Sequence, residues 1–136
     1  MPPRSRDPIL VAGTGRMARA LGRLLAEHGE PVAAVAGRDP AHTAAAAAFI
    51  GHGVKPASLD APPKRCARFL IAVSDSAIAA VATRLAQAGV ARGIALHTCG
   101  AFGPEALEPL GAAGVACGTL HPLQTVATPE QGLSAL

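Results

Sequence analysis

The stretch Pro8-Ile9-Leu10-Val11-Ala12-Gly13-Thr14-Gly15-Arg16-Met17-Ala18-Arg19-Ala20-Leu21-Gly22 decides the fold. Its four apolar residues, Ile9 to Ala12, have the length and composition of a short buried strand. Gly13-Thr14-Gly15 then reads as a turn. From Gly15 to about His28 the pattern is helical, with Met17, Leu21, Leu24 and Leu25 on one face and Gly29 as the stop. A strand, a glycine turn and a helix in this order form a loop that can grip a diphosphate. The first glycine turns the chain off the strand, the second lets the backbone approach the pyrophosphate, and Ala18 keeps helix and strand close. The free N–H groups and positive dipole end of the helix point at the same place. The segment predicts a domain that binds a dinucleotide.

Working outward, strand-length apolar runs alternate with longer helical patterns. Pro31–Ala36 is a second strand. Asp39-Pro40 opens a helix that runs to about Ile50, with Asp39 as N-cap and proline in the first turn, and Gly51-His52-Gly53 ends it. Val54–Leu59 is a weak third strand and Asp60–Pro63 a loop. Arg68–Val73 is an unbroken fourth strand. Ser74-Asp75-Ser76 is expected to cap the next helix, which passes through Ile78, Val81 and Leu85 to Gly89. Ile94–Leu96 is strand five, Gly103-Pro104-Glu105 starts a short helix, and Val115–Leu120 is strand six. The alternation predicts an α/β fold, a doubly wound, mostly parallel sheet in three α/β/α layers.

Composition agrees with that class. A chain of 136 residues is one domain, long enough to bury roughly two-thirds of its unfolded surface. Half of its residues are hydrophobic, yet only 2% are aromatic, with no Trp or Tyr. The core must be built from Ala, Val, Leu and Ile, as suits helices packed tightly on a parallel sheet. Few aromatics also means few stacking platforms for single-stranded nucleic acid. The net charge of +3 comes from scattered basic residues, so no nucleic-acid surface is expected. The three cysteines, Cys66, Cys99 and Cys117, form no disulfide framework and point to reduced thiols in the cytoplasm. The apolar stretch after Arg4 and Arg6 is too short for a signal core, and no run reaches membrane-spanning length.

The small and polar groups that interrupt the apolar pattern fall directly after strands. They are Gly13-Thr14-Gly15, Gly37-Arg38, Ser74-Asp75-Ser76, His97-Thr98-Cys99-Gly100 and His121-Pro122. In an open parallel sheet, ligands sit at the carboxyl ends of the strands, so these segments converge on one ligand crevice. Gly37-Arg38 bears on cofactor choice. An acidic residue at the end of the second strand would accept hydrogen bonds from ribose hydroxyls and repel a 2′-phosphate. Arg38 offers a guanidinium suited to phosphate, and Asp39 is committed to capping, so NADP is favoured over NAD.

Ser74, Asp75 and Thr98 are candidate neighbours of the ribose or nicotinamide. His97 and His121 are candidates for orienting a substrate, with a turn carrying a surface histidine as the plain alternative for His121. His97 and Cys99 share a strand face, as do Cys117, Thr119 and His121, but the spacings match no zinc signature and no metal site is expected. No residue presents itself as a base for a cysteine nucleophile. His28, His42 and His52 read as ordinary helix-end or loop histidines.

The chain resembles the N-terminal domain of two-domain NADP-dependent oxidoreductases, in the superfamily of pyrroline-5-carboxylate reductase and 6-phosphogluconate dehydrogenase. Within it, the resemblance is to the group that joins a Rossmann-like domain to a C-terminal helical domain of unassigned function. The segments that carry it are Gly13-Thr14-Gly15-Arg16-Met17-Ala18, Val35-Ala36-Gly37-Arg38, Ala72-Val73-Ser74-Asp75-Ser76-Ala77-Ile78, Leu96-His97-Thr98-Cys99-Gly100-Ala101 and Leu120-His121-Pro122-Leu123-Gln124-Thr125. They cover nearly the whole chain in order, and the last two are the most specific to this group.

The resemblance implies that Gly13, Thr14, Gly15, Arg16 and Met17 hold the pyrophosphate and that Arg38, beside Gly37, meets the 2′-phosphate. It places Ser74 and Asp75 beside the nicotinamide, and His97, Thr98 and His121 toward the substrate. It also implies a dinucleotide-binding domain over residues 1–122, and a tail, 123–136, leading into a helical domain that this chain lacks. That domain would supply homodimer contacts and much of the substrate pocket, so catalysis by this chain alone is not expected. The leading expectation is an NADP-binding oxidoreductase domain passing hydride between nicotinamide and a small carbonyl or imine substrate. A non-enzymatic dinucleotide-binding module, acting as redox sensor or partner subunit, and a flavodoxin-like or sugar-nucleotide-binding domain are the alternatives.

Overall fold

The computed structural model describes residues 7–120. The elements are β1 (Ile9–Ala12), α1 (Arg16–Glu27), β2 (Val32–Ala36), α2 (Pro40–Ile50), β3 (Lys55–Ala57), β4 (Arg68–Ile71), α3 (Ile78–Gln87), β5 (Ile94–His97), α4 (Glu108–Ala113) and β6 (Ala116–Thr119). Short 3-10 turns, Asp75–Ala77 and Pro104–Leu107, lead into α3 and α4. All six strands run parallel in the order β3-β2-β1-β4-β5-β6. The order reverses between β1 and β4, which is the topological switch point of a doubly wound sheet and the place where such folds open a crevice.

The two faces of the sheet bury different residues, as alternation along a strand requires. Val11, Val35, Leu70 and Ala72 point to one face, where Ala18 and Leu21 of α1 and Ala46, Ala47 and Ile50 of α2 cover them. Leu10, Ala34, Phe69, Ile71 and Ala95 point to the other, beneath Val81 and Leu85 of α3 and Leu110 of α4. The core is therefore two aliphatic layers around one sheet. The many alanines let helix backbones lie close to the strands, and shape matching replaces the aromatic bulk that the composition lacks.

Register aligns the strand ends. Ala36, Ala12, Ile71, His97 and Thr119 are successive partners across the sheet. The residues that follow them therefore emerge side by side at the carboxyl edge.

The element boundaries differ from the sequence reading in physically explicable ways. The third strand shrinks to Lys55–Ala57, because Ser58 turns back to bridge Ala61. It lies at the sheet edge, the one position where Pro56, lacking an N–H, is tolerated. The fourth strand ends at Ile71 instead of Val73. Ser74-Asp75-Ser76 does not cap a helix through its side chains: Ser74 makes no such bond, and the chain enters a 3-10 turn in which the Ala77 N–H donates to the Ser74 carbonyl at 2.9 Å. That turn satisfies a helix-entry donor with backbone alone. Among the described residues no helix is long and apolar enough to cross a membrane.

Candidate functional site

Gly13 is the floor of the site. Its φ is +127°, a conformation that side chains rarely adopt, and a Cβ there would lie 2.1 Å from the Ala72 carbonyl oxygen. Its N–H donates to the Ala36 carbonyl at 2.8 Å. The turn thus sits against both neighbouring strands at the switch point. Ala18 is fully buried behind it, as the close helix–strand approach requires.

Two residues on, Gly15 has open space where a Cβ would stand. Gly15 is the N-cap of α1, with no side chain capping the helix and no acidic residue in its first turn. The contrast with α2 is direct. There Asp39 Oδ1 accepts from the Ala41 N–H at 3.0 Å, and Oδ2 lies 3.0 Å from His42 Nδ1. One helix closes its own N-terminus with a carboxylate, and the other leaves its N-terminus to the crevice. Asp39 is committed to the cap, as its position before Pro40 predicts.

The crevice is a cavity of about 540 Å³. Its near wall is the glycine turn, Gly13 to Met17. Gly37 and Arg38 close one end, where a Cβ on Gly37 would press to 2.6 Å of Thr14 Cγ2, so the two loops interlock. Arg38 itself is exposed at the mouth. Ser74 and Thr98 contribute from the ends of β4 and β5. Gly13, Thr14, Gly15, Arg16, Met17, Gly37, Arg38, Ser74 and Thr98 are therefore brought to one space.

Two other candidates lie elsewhere. Asp75 borders a second cavity of about 230 Å³, with Phe102 and Glu105. Its carboxylate accepts a hydrogen bond from the Cys99 thiol, which is the largest reason that thiol is held protonated above its ordinary pKa. His97 is fully buried. Its Nε2 lies 2.8 Å from the Gly103 carbonyl, and its Nδ1 accepts from the Cys99 N–H at 3.1 Å. That pairing fixes a neutral tautomer with the proton on Nε2 and occupies both nitrogens with backbone. His97 thereby ties the end of β5 to the entry of α4, and the crevice is lined by its neighbour Thr98. His121 lies outside the described residues.

The remaining thiols are held protonated as well, Cys66 and Cys117 chiefly by burial. The Glu105 carboxyl sits below the usual range, because it accepts hydrogen bonds from its own N–H and from Gly103.

Sequence reasoning missed part of the wall. Ala80, Val81 and Arg84 line the crevice from α3, Ala77 from the turn before it, and Leu59 from the β3–β4 loop. The signal was present as helical spacing: residues three, four and seven apart share a face. What the sequence could not show was the approach of Asp60 to that face. Arg84 Nε and Nη2 donate to Asp60 Oδ1 and Oδ2 at 2.9 and 2.7 Å, a two-pronged pair across the crevice rim. The guanidinium holds the Asp60 carboxyl below its ordinary pKa.

Solved structures share this architecture. A Bacteroides fragilis protein described as an NADP oxidoreductase matches with a TM-score of 0.76 at 19% identity, over 91% of this chain and 47% of its own. Prephenate dehydrogenase from A. aeolicus, solved with hydroxyphenyl propionate and NAD+, matches at 0.66 and 15%, over 88% of this chain and 43% of its own. Biliverdin reductase from Synechocystis, solved with biliverdin and NADP+, matches at 0.57 and 22%, over 85% and 37%. In each case the chain spans less than half the length of the matched structure. These likenesses establish the fold. Comparison of the sequence with curated proteins finds no match. The family model for the Rossmann-like domain matches residues 2–122, and the chain belongs to that family.

Proposed function

We propose that this chain is the NADP-binding domain of an oxidoreductase. The observation that carries the reading is the Gly13 turn. It is a bend that excludes side chains, at the sheet switch point, opening with the uncapped start of α1 onto a cavity of about 540 Å³. A diphosphate laid along that bend would meet backbone N–H donors and the positive end of a helix dipole. Gly15 leaves it room.

Arg38 supports NADP over NAD. It stands at the end of β2, where a ribose 2′-phosphate is read, and its acidic neighbour Asp39 is engaged by the Ala41 N–H. The bound nicotinamide would supply hydride chemistry to a small carbonyl or imine substrate. The chain's own share is positioning, with Ser74 and Thr98 bordering the reacting end.

The test is binding. NADPH and NADH are titrated separately while thermal unfolding is followed. Ligand at ~100 times its dissociation constant stabilises a one-site protein by about 2.7 kcal/mol. The reading expects such stabilisation from NADPH at lower concentration than from NADH. No stabilisation by either dinucleotide overturns it.

A further inference from the structure

We propose that Arg84, clamped by Asp60, is the wall of the crevice against which the adenine of the dinucleotide rests, and that it does not read the 2′-phosphate. The inference rests on the dinucleotide reading above and adds a specificity-determining residue to it.

Three observations lead there. Arg84 lines the same cavity as Arg38, on α3 instead of after β2, and Leu59 from the β3–β4 loop lines it too. The cavity end beyond the glycine turn therefore has walls from two elements that the diphosphate itself does not touch. Ala77 before α3, and Ala80 and Val81 on it, are short, so Arg84 is the one long side chain that α3 contributes to the lining. Finally, Arg84 is held. Its Nε and Nη2 both donate to the Asp60 carboxylate, at 2.9 and 2.7 Å.

The clamp has two consequences. A free arginine at a crevice mouth samples many rotamers, whereas a two-pronged pair fixes the guanidinium plane, and a fixed plane is a stacking surface for a base. The pair also cancels charge locally: Asp60 neutralises the guanidinium it holds, leaving little net attraction for a phosphate. Arg38, by contrast, follows β2 and is exposed, and among the described residues no carboxylate holds it as Asp60 holds Arg84. The two arginines therefore divide the adenosine half between them. Arg84 recognises the base by shape, and Arg38 recognises the phosphate by charge.

The experiment separates the halves of the ligand by calorimetry on the whole chain, using 2′,5′-ADP, 5′-ADP and reduced nicotinamide mononucleotide. Arg84→Met is expected to weaken both adenosine nucleotides by a similar factor of about tenfold, the loss of one stacked base contact, and to leave the mononucleotide unchanged. Asp60→Asn unmasks the guanidinium charge and is expected to tighten 2′,5′-ADP relative to 5′-ADP by roughly threefold or more. Equal binding by wild type and Arg84→Met overturns the proposal, as does a loss confined to 2′,5′-ADP, which would make Arg84 a phosphate ligand. Circular dichroism of each variant separates a lost contact from a lost fold, and Asp60→Asn keeps the side-chain volume should Arg84→Met not fold. If the wild-type chain binds none of the three, the dinucleotide reading falls, and this one with it.

Discussion

The carbonyl oxygen of Ala72 occupies the place where a side chain on Gly13 would begin, 2.1 Å from an ideal Cβ. The contact joins β1 to β4 at the sheet switch point, and backbone atoms on a central strand cannot yield as a flexible side chain can. Gly13→Ala would meet both that clash and a φ of +127°. The expected loss is about 3 kcal/mol or more, seen as a lower midpoint in chemical denaturation. Gly15→Ala serves as the contrast. Open space surrounds its Cβ, so it should leave stability nearly intact while weakening dinucleotide binding.

Arg38→Asp reverses the charge at the end of β2. If Arg38 meets a 2′-phosphate through charge-assisted hydrogen bonds, NADPH affinity should fall by roughly tenfold or more while NADH affinity changes little. Parallel titrations check it. Equal losses for the two dinucleotides would show that Arg38 does not distinguish them.

His97→Ala removes a buried ring and leaves the Gly103 carbonyl and the Cys99 N–H without their partner. The void and the unpaired groups together should cost roughly 3 kcal/mol in denaturant unfolding. Amide exchange at Cys99 should accelerate as well. A loss below about 0.5 kcal/mol, the range of ordinary surface substitutions, would contradict the structural role assigned to this histidine.

The Cys99 thiol is hydrogen-bonded to the Asp75 carboxylate, which raises its pKa above the ordinary 9.0. Thiolate is the reactive form, so alkylation of Cys99 in the folded protein near pH 7.5 should be slow. Asp75→Asn removes the charge that disfavours thiolate. The pKa should then fall toward its ordinary value, and alkylation should quicken by roughly threefold or more, read by mass spectrometry of the labelled peptide. No change in rate would mean that burial alone protects the thiol.

Local chemistry made much of this fold readable from the chain. Ile9–Ala12 is apolar throughout because its strand is covered on both faces, and Asp39-Pro40 announces α2 because capping is a matter of adjacent residues. Gly13 is likewise legible, since a sharp turn off a strand leaves glycine as its trace, whereas the interlock of Gly37 with Thr14 joins two loops and is visible only in the fold. The illegible features are those that depend on distant partners. Asp75 looks like a helix cap beside the nicotinamide until Cys99, from the segment after β5, meets its carboxylate. His97 looks like a ligand of the crevice until the chain returns Gly103 to its ring. Arg84 has no local signal at all, because Asp60, which holds it, comes from the β3–β4 loop 24 residues away.

The aligned row Ala36, Ala12, Ile71, His97 and Thr119 has a further meaning for how such a domain can diversify. Strand pairing alone determines where each connecting segment leaves the sheet, so a loop of altered length or chemistry enters the same space from a fixed doorway. New specificity can be grafted one segment at a time onto an unaltered chassis. A single-residue slip between two strands, by contrast, would send side chains fitted to one aliphatic layer into the other and misdirect the recognition loops in one stroke.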